Sequence, residues 1–336
     1  MATTSSAFQA LVSHPPVDGQ INLQLEQVTR RPVGPDELVV RIVATGVCHS
    51  DIHYASQSAS QGTYPRVLGH EGAGYIVEVG SGVTAFKPDE PVLLSFTGCG
   101  TCRRCSEGHP CFCTVRTNKH LGGEAGVFRT AQEGQGVHGL FFGQSSFANY
   151  TIVKQGAAVN VSGLVKDEDD LRLFAAIVCG FQTGAGSIIN VAHGRKEDSV
   201  VVTGTGGVGL GAIVAARVLG SKTIVAVDTH KSRLEAARKL GATHTLLSGA
   251  NFNLAEEVFK VTAGAGASIV LDTTGSLPLI ESGVAATEDG GRFVHVGLPN
   301  PIGAELKIPL HQFLAVRKHL PIINCSPHRF VLGIAS

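Results

Sequence analysis

The sequence predicts an α/β protein in two parts, a β-rich first half followed by a doubly wound parallel sheet. Three observations carry this. Short β-branched runs bounded by Gly, Pro and Asp occupy the first half. Beyond residue 199, apolar strand patterns alternate with helical ones, the rhythm of parallel strands joined by crossover helices. Between two of these segments lies a glycine-rich turn, Gly-Thr-Gly-Gly-Val-Gly at 204–209.

The elements follow in order. Residues 37–43 and 74–79 read as strands of the first half. Residues 199–203 have the pattern of a buried strand, 208–219 of a helix, and 223–227 of a second strand. A second helix is predicted over 233–240, with further strands over 268–271 and 292–296. The change of rhythm places the domain boundary near 179–189, giving domains over 1–180 and 181–324 and an atypical short tail over 325–336.

At 336 residues the chain is long enough for two cores. Its 42 glycines and few aromatics point to tight turns and close backbone approaches. Lys plus Arg equals Asp plus Glu, at 27 each, which offers no electrostatic footprint for nucleic acid or an anionic membrane. Residues 199–216 carry no charge and match a bilayer span in length. Their glycines argue for a strand, a turn and a buried helix instead. The first ten residues lack the pattern of a signal peptide, so a cytoplasmic location is expected.

Cys99, Cys102, Cys105 and Cys113 form two consecutive CxxC steps with a fourth thiol eight residues on. That spacing suits one tetrahedral zinc, because short loops close the ligand shell at little entropic cost. Two disulfides would be the alternative, which a reducing compartment disfavours. Cys111 is off the spacing and reads as a bystander.

The turn at 204–209 places Gly204, Gly206 and Gly209 in a GxGxxG frame, with Gly207 and Val208 opening the helix. Such a turn lets a pyrophosphate approach the backbone and meet the free N–H groups of the helix N-terminus. Asp228 closes the next strand, 19 residues beyond Gly209. A carboxylate there accepts from ribose hydroxyls and repels a 2′-phosphate, which favours NAD over NADP. Arg233 is close enough in sequence to reach the same ribose.

Two further segments are rich in ligand types, Gly-Val-Cys-His-Ser-Asp-Ile-His at 46–53 and Gly-His-Glu-Gly-Ala-Gly at 69–74. Spacing alone does not show that they meet. Together with the cysteine cluster and the glycine turn, they resemble the zinc-containing medium-chain alcohol dehydrogenases from about residue 38 to 299. Gly-His-Glu-Gly-Ala-Gly, Leu-Leu-Ser-Phe-Thr-Gly-Cys-Gly and Phe-Gly-Gln-Ser-Ser-Phe-Ala look most like the aryl- (benzyl-) alcohol dehydrogenase branch.

The resemblance implies a β-rich GroES-like catalytic domain plus a Rossmann cofactor domain, with two zinc ions and NAD. Cys48, His70 and Cys179 match the catalytic zinc ligands. Ser50 matches the hydroxyl that takes the alcohol proton, and His53 the solvent end of the relay. Asp51 and Glu71 match carboxylates that orient His70. His49 matches a residue near the cofactor phosphates, Thr183 one behind the nicotinamide and Val296 one near its carboxamide. Cys99, Cys102, Cys105 and Cys113 match the structural zinc lobe. The implied reaction moves a hydride between NAD and a primary, aromatic or allylic, alcohol/aldehyde pair. No nucleic acid or membrane partner is expected, and a homodimer or homotetramer would pair edge strands near 297–308.

The sequence departs from that family at two places. After residue 324 a C-terminal segment returning to the first domain is expected and is missing. At 87–92 the chain reads Lys-Pro-Asp-Glu-Pro-Val, where the family usually has a glycine in the turn. The first departure keeps open a catalytically impaired member that only binds cofactor. Another branch, such as a glutathione-dependent formaldehyde dehydrogenase, also stays open. A zinc-free reductase of the wider superfamily would not need Cys48, His70 and the cysteine lobe.

Overall fold

A computed structural model of the chain describes residues 6–96, 98–115, 121–298 and 305–306. The chain divides into two compact units, 1–179 and 180–336. The tail at 325–336 and most of the 297–308 edge lie outside the described residues.

The first unit runs β1 (Phe8–Val17), β2 (Gln20–Arg30), β3 (Glu37–Thr45), α1 (His49–Ala55), β4 (Arg66–Val67), β5 (Gly72–Val79) and β6 (Pro91–Leu94). It continues with α2 (Arg103–Ser106), β7 (Glu124–Thr130), β8 (Gly136–Gly139), β9 (Tyr150–Lys154), β10 (Ala158–Asn160) and α3 (Glu168–Phe174). Strands β1-β2-β7-β8-β4 close into a barrel, and β10-β6-β5-β3-β9 form a five-stranded sheet. In β1, Phe8, Ala10 and Val12 alternate inward, as a half-buried strand requires. They pack with Val28, Val67, Phe128 and Val137 into the barrel core. The metal-ligand candidates sit where elements end. Cys48 directly precedes α1, His70 and Glu71 precede β5, and Cys179 closes a short 3₁₀ turn at Ala175–Val178.

The turn at 87–90 forms without its glycine. Asp89 takes the left-handed backbone conformation (φ +67°), which aspartate tolerates better than most residues. Its N–H bonds the Ile76 carbonyl (2.8 Å), and the Ile76 N–H bonds that of Glu90 (3.1 Å).

The second unit runs α4 (Gly180–Gly186), β11 (Ser199–Thr203), α5 (Gly207–Val218), β12 (Thr223–Asp228) and α6 (Lys231–Leu240). Then come β13 (His244–Leu247), α7 (Leu254–Val261), β14 (Ala267–Asp272), α8 (Leu277–Ala286) and β15 (Thr287–His295). All pairings in the sheet β13-β12-β11-β14-β15 are parallel. Every residue of β14 is buried, because helices cover both faces of such a sheet. This is the doubly wound fold the sequence predicts. The uncharged stretch at 199–216 is strand, turn and buried helix, as its glycines imply. Among the described residues, no single helix is long and apolar enough to cross a membrane.

Strand order reverses at β11, whose neighbours are β12 and β14. Thr203, at its carboxyl end, is in register with Val227 and Asp272. Ligands of open α/β sheets bind outside the carboxyl ends of strands at such a point.

The metal and dinucleotide sites

Four side chains of the first unit converge. The sulfurs of Cys48 and Cys179, one ring nitrogen of His70 and a carboxylate oxygen of Glu71 all lie within 4.8 Å of one another. The two sulfurs are 4.0 Å apart, and the Cys179 sulfur is 3.4 Å from His70 Nε2. His70 and Glu71 are buried.

Asp51, also buried, organises the group from behind. One of its oxygens accepts the Gly69 N–H (3.0 Å) and faces His70 Nδ1 (3.0 Å), and the other accepts the Cys48 N–H (2.9 Å). One carboxylate thus ties down the backbone beside two candidate ligands. Its bond to Nδ1 fixes the imidazole tautomer and frees Nε2 for a metal. The orienting contact comes from Asp51. The Glu71 carboxylate instead lies among the donor atoms, a placement the sequence reading did not foresee.

Burial alone would lower the His70 pKa, but Asp51 and Cys48 outweigh it and hold it up at about 10. The Cys48 thiol is held down at about 3, first by Cys179, against burial, and then by His70. Burial, helped by the Cys48 sulfur, pushes the Glu71 carboxyl up to about 7. Two sulfurs and an imidazole nitrogen around one point are the donor chemistry of a zinc site with a position left for oxygen.

Ser50 Oγ lies 3.9 Å from the Cys48 sulfur. His53 is further along α1, its ring edge-on to Tyr54 at 5.2 Å. His49 is the first residue of α1. Around His70 stand Phe142, stacked on the imidazole at 4.7 Å and 24°, and Phe141, edge-on at 5.8 Å. Phe96 contacts Phe142 edge-on at 6.4 Å.

The cysteine lobe also closes. The sulfurs of Cys99, Cys102, Cys105 and Cys113 lie within 4.8 Å of one another. Cys99 and Cys105 are 4.0 Å apart, far beyond a disulfide bond, and all four thiols are free. The N–H groups of Cys102 and Cys99 point at the sulfurs of Cys99 (3.3 Å) and Cys113 (3.4 Å), favouring thiolates. Burial and the neighbouring sulfurs push the Cys105 thiol up to about 12, against the Gly100 N–H. A cation among the four relieves that repulsion. The Cys111 side chain lies outside the described part of the chain.

In the second unit, Gly204 takes the left-handed conformation (φ +83°) that turns β11 into α5. A Cβ on Gly209 would stand 1.9 Å from the Gly204 carbonyl oxygen, so the helix can start this close only with glycine. Gly206 caps α5, and Gly207 and Val208 are its first residues. The helix N-terminus therefore faces the switch point with free N–H groups, the arrangement that binds a phosphate.

Asp228 is buried at the end of β12. One oxygen accepts both the N–H and the hydroxyl of Thr205 (2.9 Å each), and the other accepts the His230 N–H (2.9 Å). Burial pushes its carboxyl up, but these donors outweigh it and hold it below the usual carboxylate range. Asp228 thus braces the glycine turn, a role its position in the sequence did not reveal. Arg233 lies 3.9 Å from it on the exposed side of α6. Thr183 is buried in α4, and Val296 sits in the sheet core with its N–H on the Asp272 carbonyl (2.9 Å).

The sequence reading also missed Asp272, fully buried at the end of β14. It accepts from Thr203 Oγ1 (2.8 Å) and the Gly275 N–H (3.0 Å), and faces His295 Nδ1 (3.0 Å).

Comparison with known proteins decides the family. Residues 34–163 match the alcohol dehydrogenase GroES-like domain, and residues 207–328 match the zinc-binding dehydrogenase domain. A geraniol dehydrogenase of Castellaniella defragrans is 39% identical over 304 residues, which cover 88% of this chain and 79% of that protein. The chain belongs to the zinc-binding alcohol dehydrogenases. The class-P alcohol dehydrogenase of Arabidopsis thaliana is 31% identical over 283 residues, 83% of this chain and 73% of that one. The crystal structure of benzyl alcohol dehydrogenase from Acinetobacter calcoaceticus aligns with a TM-score of 0.85 at 33% identity, covering 97% of this chain and 87% of that one.

As a member of this family the protein is a zinc enzyme, and both donor sets fit that ion. The sulfur-and-nitrogen set has the composition of a reactive centre, and the four-sulfur set that of a closed structural site.

Proposed function

We propose that the protein oxidises primary alcohols of aromatic or allylic type with NAD, and reduces the matching aldehydes. The observation that carries this reading is the convergence of Cys48, His70 and Cys179 with Asp51 behind the imidazole. Two zinc ions per chain are assigned, one to that group and one to Cys99, Cys102, Cys105 and Cys113. When bound, zinc lowers the pKa of an alcohol hydroxyl and NAD accepts the hydride.

The chain's own residues do the rest. Cys48, His70 and Cys179 hold the metal while Asp51 keeps His70 in one tautomer. Ser50, on the first turn of α1, takes the alcohol proton, and His53 at the other end of that helix releases it to solvent. Glu71 supplies a carboxylate able to shield or replace a departing ligand. Gly204, Gly206, Gly207, Val208 and Gly209 present backbone N–H groups to the pyrophosphate. Asp228 and Arg233 take the adenosine ribose. His49, Thr183 and Val296 are assigned to the phosphates and nicotinamide on family resemblance.

Aromatic or allylic substrates are favoured because Phe141 and Phe142 lie against His70 and Phe96 lies against Phe142. Flat, apolar alcohols gain offset stacking in such surroundings. The named substrates of the two relatives, geraniol and benzyl alcohol, are of this kind. Free thiols in both donor sets fit a cytoplasmic setting. A homodimer or homotetramer is the assembly expected.

The test is steady-state oxidation of benzyl alcohol and geraniol with NAD and with NADP, beside ethanol and S-hydroxymethylglutathione. The reading expects the first two to be the better substrates and NAD the better acceptor. Preference for S-hydroxymethylglutathione would move the protein to another branch. Absence of turnover with both zinc ions and NAD bound would make it a cofactor-binding member only.

A further inference from the structure

The loop Phe141-Phe-Gly-Gln-Ser-Ser-Phe147 runs alongside the segment that carries His70, and it does so at a conformational cost. Leu140, Phe142 and Ser145 all take left-handed backbone conformations, with φ of +59°, +52° and +59°. Non-glycine residues persist there only when their surroundings enforce it, and such strain gathers at functional sites.

The enforcing contacts form a ladder. Ser145 Oγ donates to the Val67 carbonyl (2.7 Å). The Phe147 N–H donates to the Leu68 carbonyl and the Ser146 N–H to the Gly69 carbonyl, both at 3.0 Å. At His70 a side chain supplies the rung. The Gln144 amide nitrogen donates to the His70 carbonyl (2.8 Å) and faces those of Leu94 and Ser95 (3.1 Å each). The Gln144 amide oxygen accepts the Gly72 N–H (3.1 Å). Gln144 is fully buried. One residue therefore joins the peptide of a metal-ligand candidate, the start of β5 and the end of β6, while its neighbour Phe142 stacks on the His70 ring.

We infer that Gln144 is a positioning residue for His70, fixing the main chain from which the imidazole reaches the metal. The inference rests on the proposed zinc assignment at Cys48, His70 and Cys179. The amide is needed in both its functions, because it faces carbonyls on one side and an N–H on the other. Methionine has nearly the same length and volume and makes none of these bonds. Glutamate retains the acceptor but sets a carboxylate against three carbonyls.

The experiment is cobalt(II) titration of the metal-depleted 336-residue chain, followed by its d–d and thiolate charge-transfer absorption. It is paired with zinc content, Tm and a kcat-against-KM comparison, for wild type, Gln144→Met and Gln144→Glu. Wild type should take up two cobalt ions, and uptake of only one would refute the zinc assignment itself. In Gln144→Met the four-cysteine lobe should still fill, while affinity at the Cys48–His70–Cys179 set falls about 10- to 100-fold. The d–d bands should shift, and kcat should fall more than KM rises. Unchanged affinity and bands, with only a lowered Tm, would overturn the inference. If methionine abolishes folding, Gln144→Glu must reproduce the selective loss. Failure of both variants to fold would assign Gln144 to the core alone and likewise overturn it.

Discussion

Asp51 shows how much of this site depends on single residues. Its two oxygens serve the Cys48 N–H, the Gly69 N–H and the His70 ring. Removing a ligand itself should be more severe. Cys48→Ala or His70→Ala is expected to abolish alcohol oxidation while NADH still binds, because the glycine turn and Asp228 belong to the other unit. Retained turnover would refute the role of these ligands. Asp228→Gly should do more than blur the choice between NAD and NADP. It also frees Thr205, so kcat/KM with NAD should fall on the order of 10- to 100-fold, as for loss of hydrogen bonds to a charged group. Thr205→Val should reproduce part of that fall without altering the NAD/NADP ratio. A change in the ratio alone, with NAD kinetics intact, would show that Asp228 does not brace the turn.

At the scale of elements, the cysteine lobe was legible in the sequence because its four ligands fit within 15 residues. The other donor set was not. Cys179 is 109 residues from His70, and only resemblance to a family linked them before their sulfur and nitrogen were seen 3.4 Å apart. The core of the parallel sheet was legible because β11, β12 and β14 each carry a central apolar run, Val200–Val202, Ile224–Val227 and Ile269–Leu271. Helix α7 was missed although Asn253 caps it by accepting from the Glu256 N–H (3.4 Å), an Asn-x-x-Glu signal present in the sequence. Strand β2 was missed despite the alternation in Gln-Ile-Asn-Leu-Gln-Leu. Gln144 was hidden for a different reason, since all four partners of its side-chain amide are main-chain groups and carry no sequence signature.

Two predictions belong here. Cys102→Ser should lose one zinc per chain and lower Tm by about 5 to 10 °C, corresponding to a few kcal/mol, with a smaller effect on chemistry. A variant of undiminished stability would argue against the structural zinc. Glu37, at the start of β3, accepts from Arg31, Lys154 and the Gly34 N–H. Burial pushes its carboxyl up, but these donors outweigh it and hold it near 2 instead of 4.5. A depressed carboxyl stabilises fully above its unfolded pKa, and that contribution fades as pH falls from about 4.5 toward 2. Wild type should therefore exceed Glu37→Gln by on the order of 1–3 kcal/mol at pH 7, because Arg31 and Lys154 are partly exposed and water screens the pairs. Urea melts between pH 7 and 4 should show the gap narrowing only at the acid end. A gap independent of pH would contradict the ion pairs.

At the scale of the whole molecule, one alcohol dehydrogenase chain carries a zinc unit and a dinucleotide unit. A native-state ligand at a hundredfold excess over its Kd adds about 2.7 kcal/mol of stability, so NADH should raise the melting transition by several degrees. The same rise should appear in His70→Ala if the two sites bind independently. The central claim is more specific, that the reactive zinc is held by Cys48, His70 and Cys179. The decisive experiment is metal analysis of wild type and Cys48→Ala, both purified without chelator. The account predicts two zinc ions per chain in wild type and one, in the cysteine lobe, in the variant. One or none in wild type, or two in both proteins, would contradict it.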